Sequence, residues 1–320
     1  GDWAFGAPQG LGSHNHDPAA GFTGTNVYGY NLAGDYSNDC PRRCLTTPPL
    51  NLSRWLHLEL NFQRWLGVED AAYDQASIEC SADGQTWIDV WRHQGKSLSE
   101  TGWTAVSLSI PDSMATNASV RLRWVMGATD DSETYPGWNL DDVVIRGNRT
   151  WRLAIQSAHG QASPAVGAYL LPESLPVTCA ASNPFVETPR TQYVCIGWAG
   201  TGDAPASGAT TSLTFTLTQD SSVHWLWNSN VYFSKTAAAN GLVSGSDNGW
   251  YALGASALAW ALPDDGFHFA RWLGAPEADA MSNPLLLTLN QARDITALFE
   301  RDPLTLSIQS PHGIPNPPNG

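Results

Sequence analysis

The chain has 320 residues, a net charge of −14 and an isoelectric point near 4.8. Its 30 acidic side chains against 16 Lys and Arg argue against nucleic acid or an anionic membrane as partner, since both call for a basic face, and leave calcium and neutral or cationic ligands as better fits. No apolar run approaches the roughly 18 residues of a spanning helix, and the first residues lack the charged n-region and apolar stretch of a signal peptide, so a mature or trimmed chain without membrane insertion is expected.

With 42% hydrophobic residues, two or three domains can each bury a core. Residues 1–149 read as strands of period two. Leu58, Leu60 and Phe62 share one face of LHLELNF, Val106, Leu108 and Ile110 one face of WTAVSLSI, and Val120, Leu122, Trp124 and Met126 one face of SVRLRWVM. Asp83-Gly84 suits a tight hairpin, and Pro111-Asp112 ends another strand. No segment of this half carries a helical period. Short strands joined by long polar loops predict an all-β jelly-roll β-sandwich.

The rest of the chain repeats itself. YVCIGWAG (193–200) corresponds to FHFARWLG (267–274) at an offset of 74, and LTFTLTQDSSVHWLWN (213–228) to LLLTLNQARDITALFE (285–300) at an offset of 72. LAIQSAHGQASPAVG (153–167) returns as LSIQSPHGIPNPPNG (306–320), with eight identities in fifteen. Small β-repeats are therefore expected at 151–228 and 229–300, with the start of a third at 301–320. A unit that begins without finishing cannot bury its apolar face, so the chain reads as a monomeric fragment of a longer modular protein.

Of the five cysteines, Cys40 and Cys44 enclose three residues and read either as a small disulfide clip or as two thiols. Cys179 in LPVTCAA and Cys195 in TQYVCIGW lie on two strand-like runs. If those runs pair antiparallel, a bridge can form. Cys80 alternates with Ile78 toward a core and reads as a buried thiol. Two bridges and one buried Cys fit an oxidising compartment.

The order GFTGTNVYGYNLAGDYSND, LTTPPLNLS, LELNFQRWLGVEDAAYDQASIECSADGQTWIDVW and GWNLDDVVIRG resembles the MAM-like jelly-roll module found beside immune inhibitor A type secreted zinc metallopeptidases and in many bacterial surface proteins. The repeats resemble the divergent internalin-type B repeat. Residues 193–198, 200–202 and 214–218 match its Y-x-C-x-G-W, G-T-G and T-x-T-L-T pattern, whereas the second unit has Phe269 and Arg271 where the pattern has Cys and Gly. That second unit is thus expected to lack a disulfide. The resemblance implies secretion or a cell-surface location, and it brings no active site.

Catalytic signatures are weak. H-E-x-x-H and G-x-S-x-G are both absent from the sequence. His14 and His16, the one close His pair, sit in a Gly- and Pro-bracketed segment that reads as a solvated loop rather than a zinc site. Glu69, Asp70, Asp74, Asp130, Asp131 and Glu133 offer carboxylates, but nothing in the sequence sets the separation that glycoside hydrolysis requires. A structural Ca²⁺ is the favoured chemistry, because the resemblance implies a jelly roll of a type that often ties first and last strands with a hard cation, and Ca²⁺ needs six to eight oxygens. Asp141 and Asp142 open the final strand, Asp2 lies on the first and Asp17 in the loop that follows. Asp141 shares parity with Val143 and Ile145 and is expected to point inward, where it is either metal-bound or an acceptor of loop N–H bonds. Trp65, Tyr135 and Trp138 are candidates for stacking on sugar rings, with core packing the alternative. Trp87, Trp103, Trp124 and Trp198 read first as core.

These expectations describe a non-catalytic fragment of a larger secreted or surface protein, whose calcium-stabilised jelly roll binds an extracellular glycan or protein and is carried on a repeat stalk. The alternative is the accessory C-terminal region of a secreted hydrolase, most plausibly a zinc metallopeptidase.

Overall fold

A computed structural model describes residues 2–307, 311–313 and 316. Its compact units are two. The first comprises 1–153 with 169–175 and 216–220, the second the remainder. Among the described residues the only helical turns are two short 3-10 segments, Asp112–Met114 and Glu277–Asp279, and no helix is long and apolar enough to cross a membrane.

The first unit is built from β1 (Trp3–Gly6), β2 (Val27–Tyr30), β3 (Arg43–Thr46), β4 (Trp55–Val68), β5 (Ala76–Ser81), β6 (Ile88–Arg92), β7 (Leu98–Ser99), β8 (Thr104–Ser109), β9 (Arg121–Met126) and the start of β10 (Gly137–Ser157). One sheet runs β1-β2-β10-β4-β8, with β7 also on β4. The other runs β3-β9-β5-β6. Orders β2-β10-β4-β8 and β3-β9-β5-β6, threaded by a chain that crosses between sheets after most strands, are the two four-stranded sheets of a jelly-roll sandwich.

The period-two reading holds on both faces. Leu58, Leu60, Phe62, Val120, Leu122, Trp124 and Met126 are buried in one core, Ile110 joins them, and Val106 and Leu108 pack at its edge. Asp83-Gly84 makes the β5–β6 turn. Gly84 has φ +74°, and Asp83 Oδ1 accepts the N–H groups of Gln85 at 2.8 Å and Thr86 at 2.7 Å. Glu79 on β5 is buried yet ionised. Desolvation works against its charge, but Arg42 and Arg123 hold the carboxyl below the usual range, with Arg123 at 2.6 and 2.8 Å.

The second unit contains β11 (Ala162–Ser163), β13 to β16, most of β17 and all of β18 to β24. The strands after β11 are, in chain order, β12 (Gly167–Pro172), most of which belongs to the first unit, β13 (Pro176–Ala181), β14 (Phe185–Thr188), β15 (Thr191–Thr201), β16 (Ser207–Gly208), β17 (Ser212–Thr216), β18 (Ser221–Ala237), β19 (Gly241–Gly245), β20 (Gly249–Ala252), β21 (Ser256–Pro263), β22 (Phe267–Leu273), β23 (Leu285–Thr288) and β24 (Arg293–Arg301). The repeat is visible in the backbone. β15 pairs with β18, and β22 with β24. The sheet β11-β13-β17 has its counterpart in β19-β21-β23. Each long pair is broken by one bulge, between Cys195 and Gly197 in the first repeat and between Phe269 and Arg271 in the second. The extra residues, Ile196 and Ala270, are 74 apart, the offset of the sequence match. Trp198 and Trp272 are buried at equivalent places, as are Leu217 and Leu289.

Boundaries at 149–151 and 228–229 fall inside continuous strands, β10 and β18. The first copy of the L-x-I-Q-S-x-H-G motif is architectural. Leu153 and Ile155 are buried, the His159 ring stacks on Tyr193 at 3.4 Å, and a Cβ on Gly160 would meet Trp227 at 2.4 Å. In the later copy Leu306 is 75% exposed. Residues 308–310, 314–315 and 317–320 of that expected third unit lie outside the described residues.

Neither expected disulfide is formed, all five cysteines being free thiols. The runs bearing Cys179 and Cys195 do not pair with each other. β13 belongs to the small sheet with β11 and β17, whereas β15 pairs with β14, β16 and β18. Cys40 is buried while Cys44 faces solvent. Cys80 is buried as expected, and desolvation pushes its thiol up to about 11.

Candidate functional site

The alternation that turns Leu58, Leu60 and Phe62 inward turns Trp65 outward, and the alternation of β8 does the same for Trp103. Arg64 and Thr104 are register partners, so the two indoles are brought side by side and meet edge to face at 6.1 Å and 83°. Phe22, 50% exposed, adds a third ring against Trp103 at 6.3 Å. Trp65 Nε1 donates to the His16 carbonyl at 3.0 Å, which fixes its orientation. The result is an aromatic surface on the outer face of the sandwich. Trp65 is the one of the three ligand candidates named from the sequence that the fold leaves on this surface. Trp103, read first as core, is only half-buried, because the strand parity that places Val106 and Leu108 inside puts it outside; Phe22 was not singled out in the sequence.

The other two aromatic candidates are core, not surface. Trp138 is 0% exposed, donates to the Val125 carbonyl at 3.0 Å and meets Trp91 edge on at 5.5 Å. It shares parity with Leu140, and both point into the sandwich. Tyr135 is buried with the His14 ring stacked on it at 4.1 Å. His14 and His16 are occupied elsewhere: His14 Nε2 lies 3.3 Å from Glu133, and His16 Nδ1 contacts the Gly12 carbonyl.

Among the described residues the four nominated calcium ligands, Asp2, Asp17, Asp141 and Asp142, do not form one cluster of acids within ion-sharing distance. A bulge between Asp141 and Val144, with Asp142 at φ +48°, breaks the assumed parity, so Val143 faces solvent and Asp141 is only partly buried. Asp141 Oδ2 accepts the Thr23 N–H at 2.9 Å and Asp142 Oδ1 the Thr23 hydroxyl at 2.7 Å. These carboxylates tie a loop, the alternative weighed from the sequence. Asp2 is exposed and accepts the Trp3 N–H at 2.9 Å. Asp17 is buried at 3% exposure beside Asn139. Desolvation pushes its carboxyl up to about 7, the Asp35 charge adding to the rise and hydrogen bonds from Asn139 and Gly34 opposing it.

A different set of acids does come together. Glu69 follows β4, Asp74 precedes β5 and Asp130 follows β9, and one oxygen of each lies within 4.8 Å of the others. The Tyr36 hydroxyl donates to Asp74 Oδ2, and the Asp130 N–H to Asp74 Oδ1 at 3.0 Å. Asp130 Oδ1 accepts the N–H and hydroxyl of Ser132, both at 2.9 Å. Glu69 is 8% exposed and its Oε2 meets no donor. Burial raises the carboxyls of Glu69 and Asp74, and for Glu69 the charges of Asp130 and Asp74 add to it.

Jelly-roll sandwich and tandem small β-repeats together define a modular β-protein. Residues 232–303 match the divergent InlB B-repeat domain family, so the match falls on the second repeat, the one that departs from the pattern at Phe269 and Arg271. The chain is also 28% identical over 145 residues to Bacillopeptidase F of Bacillus subtilis (strain 168), a stretch that is 45% of this chain and 9% of that protein.

Proposed function

We propose that this chain is a non-catalytic accessory part of a larger secreted protein, in which a MAM-like jelly-roll module binds an extracellular glycan and B-repeats carry it. The observation that carries the reading is the Trp65–Trp103–Phe22 surface. Apolar C–H faces of pyranose rings stack on such π surfaces, and Trp65 is already oriented by its bond to His16, which lowers the ordering cost of binding. The jelly-roll connectivity, the W-x-L-D-D-V-x-I strand and the Asp83-Gly84 turn support the MAM-like assignment. The similarity to part of Bacillopeptidase F favours a second, compatible reading in which the parent protein is a secreted peptidase and this region serves its accessory functions.

The test is to incubate the full chain with insoluble polysaccharides and with casein. Retention on a glycan without cleavage of either substrate is expected. Retention by a protein matrix alone would replace the glycan with a protein ligand, and hydrolysis of casein or polysaccharide by the purified chain would overturn the non-catalytic reading.

A further inference from the structure

We propose that Glu69, Asp74 and Asp130 form a binding site for one hard divalent cation, Ca²⁺ being the ion they suit. Oxygens that share an ion at 2.3 to 2.6 Å can be at most about 5 Å apart, and these three carboxylates meet that condition with mutual separations within 4.8 Å. A cluster of acids alone would be weak evidence. Here the Oε2 of Glu69, a residue more than nine-tenths buried, is held away from water with no donor, and a buried carboxylate oxygen requires a partner.

Among the described residues no ion pair engages any of the three. Lys96, the nearby cation, pairs with Asp70 at 3.2 Å, so its charge goes to a flanking acid instead. The bonds from Tyr36, Ser132 and the Asp130 N–H fix the orientation of Asp74 and Asp130, as partners behind metal ligands do. Carboxylates from two separate connections suit the six to eight oxygens and loose geometry of Ca²⁺ better than the near-ideal octahedron of Mg²⁺. The ion would join the β4–β5 connection, where the chain passes from one sheet to the other, to the β9–β10 connection, where it passes back. The site stands independently of what the aromatic surface binds.

The experiment is calorimetric titration of the chelator-stripped full chain with CaCl₂, together with Tb³⁺ luminescence sensitised through Tyr36. One equivalent is expected to bind. The melting temperature of the sandwich should rise by about 5 to 10 °C at a hundredfold excess over the dissociation constant. Glu69→Gln keeps the side-chain shape at a position where Oε2 meets no donor, so its circular dichroism should be unchanged while calcium affinity falls at least tenfold. Asp130→Asn should behave alike, and Asp141→Asn and Asp142→Asn should bind as the parent does. Absence of binding in the parent, affinity unaffected by Glu69→Gln, or stability that follows pH but not calcium, the signature of a shared proton, would each overturn the proposal.

Discussion

Asp17 Oδ1 accepts a 2.6 Å hydrogen bond from the amide of Asn139, joining an N-terminal loop to the last strand of the sandwich in a place sealed from solvent. The other oxygens of the pair, Asp17 Oδ2 and Asn139 Oδ1, have no partner. A protonated Asp17 would supply one donor to that pair. Because the folded carboxyl sits near 7 instead of 3.8, the native state holds a proton the unfolded chain has released. Stability should therefore fall as pH rises from about 4 to about 7 and level off above, by at most about 4 kcal/mol. Urea unfolding at pH 5 and pH 8 checks this. Asp17→Asn should flatten the slope, and an identical slope in both proteins would contradict the assignment.

The Glu79 cluster should behave as a buried ion network. Glu79→Gln leaves Arg42 and the mostly buried Arg123 without a counter-charge, and a loss of about 3 kcal/mol is expected by urea denaturation. Arg54→Ala, which removes the exposed pair with Asp220, should cost under about 1 kcal/mol. Equal costs would mean that burial does not decide the strength of these pairs.

Gly197 and its repeat counterpart Arg271 explain each other. Gly197 has φ +130°, and a Cβ there would lie 1.8 Å from the Gly208 carbonyl, because β16 pairs alongside β15. In the second repeat the chain after β22 forms the turn Glu277–Asp279, and Trp272 Nε1 donates to Ser282 at 2.9 Å, so Arg271 meets no such strand. Gly197→Ala should destabilise the first repeat by more than about 2 kcal/mol. Arg271→Ala should stay within about 0.5 kcal/mol, as read from hydrogen exchange of the two repeats.

Thiol labelling should find one fast-reacting cysteine in the native protein, Cys44, and five after unfolding without reductant. The remaining four are buried, and desolvation pushes Cys80 and Cys179 up to about 11, far from the thiolate that reacts. A count of three or one in the unfolded chain would restore one or both of the bridges expected from the sequence.

Period-two alternation made the sandwich legible because one buried face imposes it along β4, β8 and β9. The repeats were legible because equivalent cores demand Trp198 and Trp272, Leu217 and Leu289. The site was harder to read. Parity for Asp141 failed where a bulge at the start of β10 shifted the register, which a sequence pattern does not announce. Glu69, Asp74 and Asp130 belong to loops 61 residues apart at the extremes, and only the jelly-roll crossings bring them together. The cysteines misled because two strand-like runs need not be neighbours in a sheet.

The most direct measurement of the glycan-binding claim is retention of the full chain on an immobilised polysaccharide panel, comparing the parent with Trp65→Ala and Trp103→Ala. Both indoles lie on the outer face of the sheet, so each variant should keep its melting temperature within a few degrees while retention on the recognised glycan falls at least tenfold. Retention that survives both substitutions in folded protein, or a parent chain held by no glycan on the panel, would contradict the binding role assigned to this surface.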